Sequence, residues 1–325
     1  MKKYILVAIA VSLALISILS SCENKLEFDF ATKDTKLVIN ALLNSDSINN
    51  DVFASYSGAD GATPASDVVV RVYINGVLKE TIDQPVEVKD DFSARYPIHC
   101  KFQVNDLVKI DVSTKDNKKH AWAETEVLPP TPIYKVEVSP KTYPSSILGH
   151  SNHLRFKITI SDHSQGKDYY YRLVPESYIR NNMQKNGWEN ECDSQLEKKI
   201  CMYINNDYVL MDGNPTTAND NQDSFVSAAY NNYGIFSNKF FKDKSYTLNI
   251  SIPILHNLEY IVIRLLRISE AEYKYMKVLN TLDSDLYLDE FSEPIIFETN
   301  VNGGLGIVSI SSESSQRTQV ITQKE

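Results

Sequence analysis

The chain has 325 residues, 42% of them hydrophobic, with 33 Lys and Arg against 42 Asp and Glu and a formal net charge of −9. That length is ample for real hydrophobic cores and suggests two domains. An acidic balance without a basic cluster argues against nucleic acid as a partner and against electrostatic adhesion to anionic lipid.

At the start, Lys2 and Lys3 precede an apolar run from Tyr4 to Leu19, shorter than the roughly 20 residues a membrane-spanning helix needs. A basic start, a short apolar core and small residues before a cut site read as a secretory signal peptide over residues 1–21. Leu19-Ser20-Ser21-Cys22 resembles the lipobox of bacterial lipoproteins. In that signature the small residues admit the signal peptidase and the cysteine sulfur receives a diacylglycerol, which makes Cys22 a lipid attachment point. The plainer alternative is an ordinary signal peptide ahead of an incidental cysteine. Two acyl chains suffice for stable attachment. No second apolar stretch is long enough to span a bilayer, so the expected membrane link is the anchor itself. Cleavage would leave 304 residues with a net charge of −11.

Residues 22–34 read as a polar tether, and from residue 35 the chain alternates as strands do. In "SDVVVRVYINGVLKETI", Val68, Val70, Val72 and Ile74 share one face. Asn75-Gly76 then offers a type I′ turn and Val77 to Ile82 run back, a hairpin pattern. Val108, Ile110 and Val112 repeat the alternation before a polar turn at Lys115 to Lys119. Residues 35–128 therefore predict a small antiparallel sandwich of immunoglobulin-like size. Cys100 sits on an alternating run and reads as a buried small hydrophobe. The run "LPPTP" and its neighbours, residues 129–133, are stiff and extended and read as a linker.

Residues 134–325 predict a second β-rich domain. Leu154, Phe156, Ile158 and Ile160 share a face, as do Tyr246, Leu248, Ile250 and Ile252. "EYIVIRLLRIS" is apolar on both sides and suggests a central strand. "EPIIFETNVNGGLGIVSISS" reads as a hairpin turning on Asn302-Gly303 or Gly303-Gly304. One helix is expected near 269–282, where Ser269 and Glu272 have capping-box spacing. Its stripe of Tyr273, Met276, Leu279 and Leu282 would cover a sheet face or edge. Between Pro175 and Lys244 the chain is rich in Asn, Asp and Tyr, and loops with a short helix or two are expected.

No strong catalytic pattern is present: there is no G-x-S-x-G, H-E-x-x-H, Walker loop or G-x-G-x-x-G. Gly303-Gly304-Leu305-Gly306 precedes no helix, so it reads as a turn and not as a phosphate cradle. His150, His153 and His163 form the one histidine cluster, read as loop residues more than as metal ligands. His99 and His120 read as structural or solvent-facing. Asp212, Asp220 and Asp223 with their asparagines lack EF-hand spacing and read as a solvated loop. Cys192 and Cys201 are near enough in sequence to close a small disulfide loop in an exported chain, or to remain thiols. Among 19 tyrosines, Tyr169, Tyr170 and Tyr171 read as a strand. Tyr203, Tyr208, Tyr230 and Tyr233 are either recognition residues or simple packing, since loop tyrosines supply contact area at low entropy cost.

The order of several stretches carries a family resemblance. An acidic-apolar tether follows the lipobox cysteine, then "TKLVINALLNSD", "PASDVVVRVYINGVLKETI", "DLVKIDVSTKDNKKHAWAETEVLPPTPI" and finally "FSEPIIFETNVNGGLGIVSISS". This order resembles the outer-membrane lipoproteins that carry domain of unknown function 4249, from Cys22 nearly to the end. The resemblance implies an all-β lipoprotein encoded beside TonB-dependent outer-membrane transporters, similar to an accessory subunit of a nutrient-uptake complex. It brings no catalytic residues, and Cys22 alone transfers as a modification site. Glu23 fits signals that send such lipoproteins to the cell surface.

The expectation is thus an all-β, lipid-anchored protein of two antiparallel sandwiches, not an enzyme and without cofactor or metal. It would stand on the periplasmic or surface face of the outer membrane and use Tyr203, Tyr208, Tyr230 and Tyr233 to capture a peptide, glycan or protein, or to contact a transporter. The rivals are a structural or adhesive subunit donating the strand Glu23 to Asp34, and a hydrolase with an unrecognised carboxylate site.

Overall fold

The computed structural model describes residues 35–58, 61–86, 92–145, 149–161, 166–182, 194–200, 204–205, 207–211, 231–241, 245–283 and 297–319. Cys22, Cys192, Cys201, Tyr203, Tyr230, His163 and the Asp212–Asp223 loop lie outside them.

Among the described residues the fold is all-β with one covering helix. The predicted first hairpin forms from β4 (Val68–Ile74) and β5 (Val77–Ile82). Asn75 and Gly76 both take positive φ, 51° and 77°, as a type I′ turn demands. β4 pairs on its other side with β7 (Leu107–Thr114), which pairs with β8 (His120–Glu126). Val68, Val70, Val72, Val108, Ile110 and Val112 are all fully buried, because every second residue of a strand points to the same face.

A nine-stranded sheet lies opposite. Its first part holds β1 (Leu37–Asn44), β2 (Asn50–Tyr56), β3 (Thr63–Pro64) and β6 (Ala94–Ile98). Its second part holds β11 (Tyr170–Asn182), β12 (Ser194–Ile200), β14 (Ile235–Ser237) and β16 (Leu258–Ile268). β17 (Leu305–Gln319) joins them. Residues 305–311 run parallel to 38–44 of β1, and residues 312–319 run antiparallel to 260–267 of β16. A third sheet, in the order β13 (Ile204–Asn205), β15 (Ser245–Pro253), β10 (Gly149–Ser161), β9 (Ile133–Ser145), covers the second part.

Two cores result. One is built from residues 37–127 with Val301, Val308 and Ile310 added from the far end of the chain. The other is built from residues 154–265. The Pro-rich linker is fixed between them: Thr131 is buried, and Arg267 donates from Nη1 to the Pro129 carbonyl at 3.1 Å. Residues 36–325 form one contact unit.

"EYIVIRLLRIS" is the central strand expected, β16 between β11 and β17. Pro175 sits inside β11, where a missing N–H would ordinarily break a ladder. It falls between the residues paired to β14 (170–172) and those paired to β12 (176–182), so no ladder bond is lost on that side. The expectation of loops after Pro175 is therefore corrected: β11 continues to Asn182, and β12 adds a polar edge strand whose composition hides it.

The helix, α1 (Glu270–Leu282), begins at Ser269, whose side chain accepts from the Glu272 N–H. Only that half of the capping box forms, because the Glu272 carboxylate turns inward to Ser309. Tyr273, Met276 and Leu279 pack on Val174, Leu266 and Ile268, residues of the sheet face opposite the second core.

In its described residues the hairpin expected at the end takes a different arrangement, and residues 293–296 of it lie outside them. Among the described residues, 297–301 form no strand, and Asn302 makes an isolated bridge to Trp122. Where a returning strand would bond β17, the Asn300 side chain takes both backbone groups of Val308, at 2.7 and 3.0 Å. The glycines fit this path. Gly306 has φ +106°, and a Cβ there would lie 2.1 Å from the Ile39 carbonyl oxygen. Only glycine lets β17 approach β1 at that point.

Candidate functional site

Three places combine chemistry-bearing side chains. The first is Glu80, His99 and Cys100. His99 Nδ1 lies 2.8 Å from Glu80, and both the His99 and Cys100 N–H groups donate to the same carboxylate. Although this places a thiol beside an imidazole, burial and the adjacent Glu80 push the Cys100 thiol up to about 12. A nucleophilic cysteine requires the thiolate, so this cluster holds a thiol packed half-buried against the first core. Cys100 is packing, as its alternation suggests.

The second place is an exposed aromatic pair beside the second core. A 3-10 turn, Tyr208–Met211, buries Val209 and Leu210 and turns Tyr208 outward, 66% exposed. A second turn, Asn238–Phe240, presents Phe240 at 42% exposure. The two rings meet edge to face at 5.2 Å, with Met211 also exposed. Both turns are bolted down. Asp207 accepts from the Val209 N–H, from the Asn249 N–H and from the Tyr246 hydroxyl, whose pKa is raised by burial and by that bond. Asn238 accepts from the Tyr169 N–H and donates to the Lys167 carbonyl. The rings are thus mounted on a fixed base, a low-entropy arrangement for recognition.

Tyr233 has a different setting. Its ring packs with the helix cluster and its hydroxyl donates to Asp283 at 2.8 Å. Burial, then that bond, raises its pKa to about 12. The Tyr169–Tyr171 triplet is strand, or immediately precedes it, as expected: Tyr171 lies in the second core and Tyr170 faces Tyr273 at 4.8 Å.

The third place is a cleft of about 220 Å³ on the outer face of β1 and β2, walled by Tyr275 of α1. Sequence reasoning did not single it out. Its signals were an outward Leu42 and Phe53 on strands whose inner faces were already apolar, and an aromatic Tyr275 off the helix stripe.

Among the described side chains the histidines do not converge, and those of His150 and His163 lie outside them. His153 is buried with Nδ1 near the Ser151 carbonyl and its ring edge-on to Tyr143 at 4.9 Å, while His120 lies 2.8 Å from Asp111. Among the described residues no group of His, Cys, Asp and Glu has metal-binding geometry, and no helix is long and apolar enough to cross a membrane.

Compared with known proteins, residues 23–317 match the family described as Domain of unknown function (DUF4249). No curated protein matches the chain.

Proposed function

Starting from the fact that the chain belongs to this family of undefined activity, we propose that it is a lipid-anchored binding protein of the outer membrane, an accessory subunit of a TonB-dependent nutrient-uptake system. The observation that carries the binding half is the Tyr208–Phe240 pair, two large rings held open to solvent by buried hydrogen bonds. Exposed apolar residues on a rigid base mark contact surfaces, and aromatic side chains dominate binding energy at such surfaces. The anchoring half rests on the lipobox at Cys22, and the transporter on the family resemblance in the sequence. The strand-donation rival has less support. Edge strand β9 carries Pro140 and Pro144 and the charges of Lys135 and Lys141, features that discourage strand addition.

The test is a gentle detergent pull-down from native membranes through a C-terminal tag. The proposal expects a stoichiometric TonB-dependent barrel with the native chain and its loss with Tyr208→Ala/Phe240→Ala. Recovery of the chain alone, or of a filament component, would overturn it. In parallel, Cys22→Ala should abolish lipid labelling and membrane retention; persistence of both refutes the anchor.

A further inference from the structure

The outer-face cleft carries an inference independent of the transporter contact. Along β1 the inward residues Ile39, Ala41 and Leu43 fill the first core, which leaves Asn40 and Leu42 facing out. On β2, Phe53 is paired directly opposite Asn40, and Ile307 of β17 is paired to Asn40 from the other side. α1 packs over Ser309 of this face, which donates to Glu272 at 2.7 Å, and Ile307 is buried as well. Beside it the face is open, and Tyr275 closes one wall, its ring 5.4 Å from that of Phe297.

Two features define what fits. The first is neutrality: Asp51, the one carboxylate of the lining, is paired with Arg95 at 2.8 Å. The second is unused hydrogen-bonding capacity. Neither the Asn40 amide nor the Tyr275 hydroxyl has a partner among the described residues, and burial alone raises the Tyr275 pKa. Here a donor–acceptor amide and a phenol stand beside the apolar surfaces of Leu42, Phe53 and the Tyr275 ring. An anion, a cation or a purely aliphatic group would leave one of these features unmatched.

We propose that this cleft binds one ring of a neutral saccharide, its C–H face against Phe53 and Tyr275 and its hydroxyls on Asn40 and the Tyr275 hydroxyl. The match is chemical: such a ring is apolar on one face and carries neutral hydroxyls that both donate and accept. The cleft is smaller than the roughly 300–1,000 Å³ of drug-sized sites, which suits a single ring.

The experiment is saturation-transfer NMR on the full folded domain with glucose, galactose and N-acetylglucosamine as probes, and with phenylalanine and leucine as controls. Transfer to the ring protons of at least one sugar is expected. Leu42→Trp should weaken it by about tenfold or more by filling the cleft, and Tyr275→Phe by about fivefold through one lost hydrogen bond. Tyr134→Ala, at an exposed position of β9 outside the cleft, should leave it unchanged. Because Leu42 is 41% exposed, Leu42→Trp should keep the native melting temperature. Transfer to none of the three sugars, transfer to the amino acids alone, or sugar transfer unaffected by Leu42→Trp would each overturn the proposal.

Discussion

Along β17 both halves lie in backbone ladders, but residues 305–311 depend on close backbone approach to β1, whereas residues 312–319 add a network of charged side chains to their ladder with β16. In the first half, the parallel ladder to β1 exists because Gly306 presents no Cβ to the Ile39 carbonyl. In the second half, Arg264 of β16 bonds both Glu313 and Glu176, Lys198 reaches Glu176, and Arg317 stacks on Tyr260 at 3.5 Å. Asn44 of β1 also donates to Glu313, so the charge network reaches the strands of the first core. A ladder fixed by close approach tolerates no added atom. A ladder fixed by charge tolerates exchange of the whole set but not of one member.

The largest expected effect therefore belongs to Gly306→Ala. Positive φ and the backbone clash together should cost about 4 kcal/mol or more, read as a collapse of the urea midpoint. A midpoint near the native one would break the comparison. Next comes Arg264→Met, which leaves Glu176 and Glu313 facing each other without their cation. Burial alone would raise Glu176, but the bonds and charge of Arg264 and then Lys198 bring it below the usual carboxylate range. Losing the cation from a buried network costs about 3 kcal/mol. Replacing Arg264, Glu176 and Glu313 together by Met should restore most of that stability. If the triple exchange is as damaging as the single one, charge is not what holds this half.

A smaller effect concerns Glu272, sealed under α1 with Ser309 as donor. Burial raises its pKa above the ordinary 4.5, against the opposing Ser309 bond and Arg172 charge. With the folded value above the unfolded one, the folded state holds the proton more tightly. This contribution to stability is complete below about pH 4.5 and is lost as pH rises through the folded value. Glu272→Gln should remove that loss, so the stability difference, variant minus native, grows from acid to neutral pH. A flat difference would refute it. Smallest in stability is Tyr208→Ala, expected within about 0.5 kcal/mol of native while abolishing partner capture.

How much of this could be read from sequence depends on the range of the interaction. The hairpin at Asn75-Gly76 and the cap at Ser269 are local, and residue types a few positions apart define them. The alternation of Leu154 to Ile160 and Leu248 to Ile252 placed inward faces correctly, since burial on one face leaves a period of two. The partner of β17 was not legible. Leu43 and Ser311 are 268 positions apart, and alternation names a face without naming a neighbour. Asn300, which stands in for the expected return strand, looks like any turn asparagine. At the candidate site, Tyr208 was marked by composition, but Phe240 and the outward Asn40 and Phe53 acquire meaning only beside residues distant in sequence.

The most direct measurement is photocrosslinking in native membranes with a benzoylphenylalanine placed at Tyr208. The account predicts an adduct of this chain with a TonB-dependent outer-membrane barrel, absent when the probe replaces the exposed Tyr134 of β9. No adduct at Tyr208, or an adduct of the chain with itself alone, would contradict it.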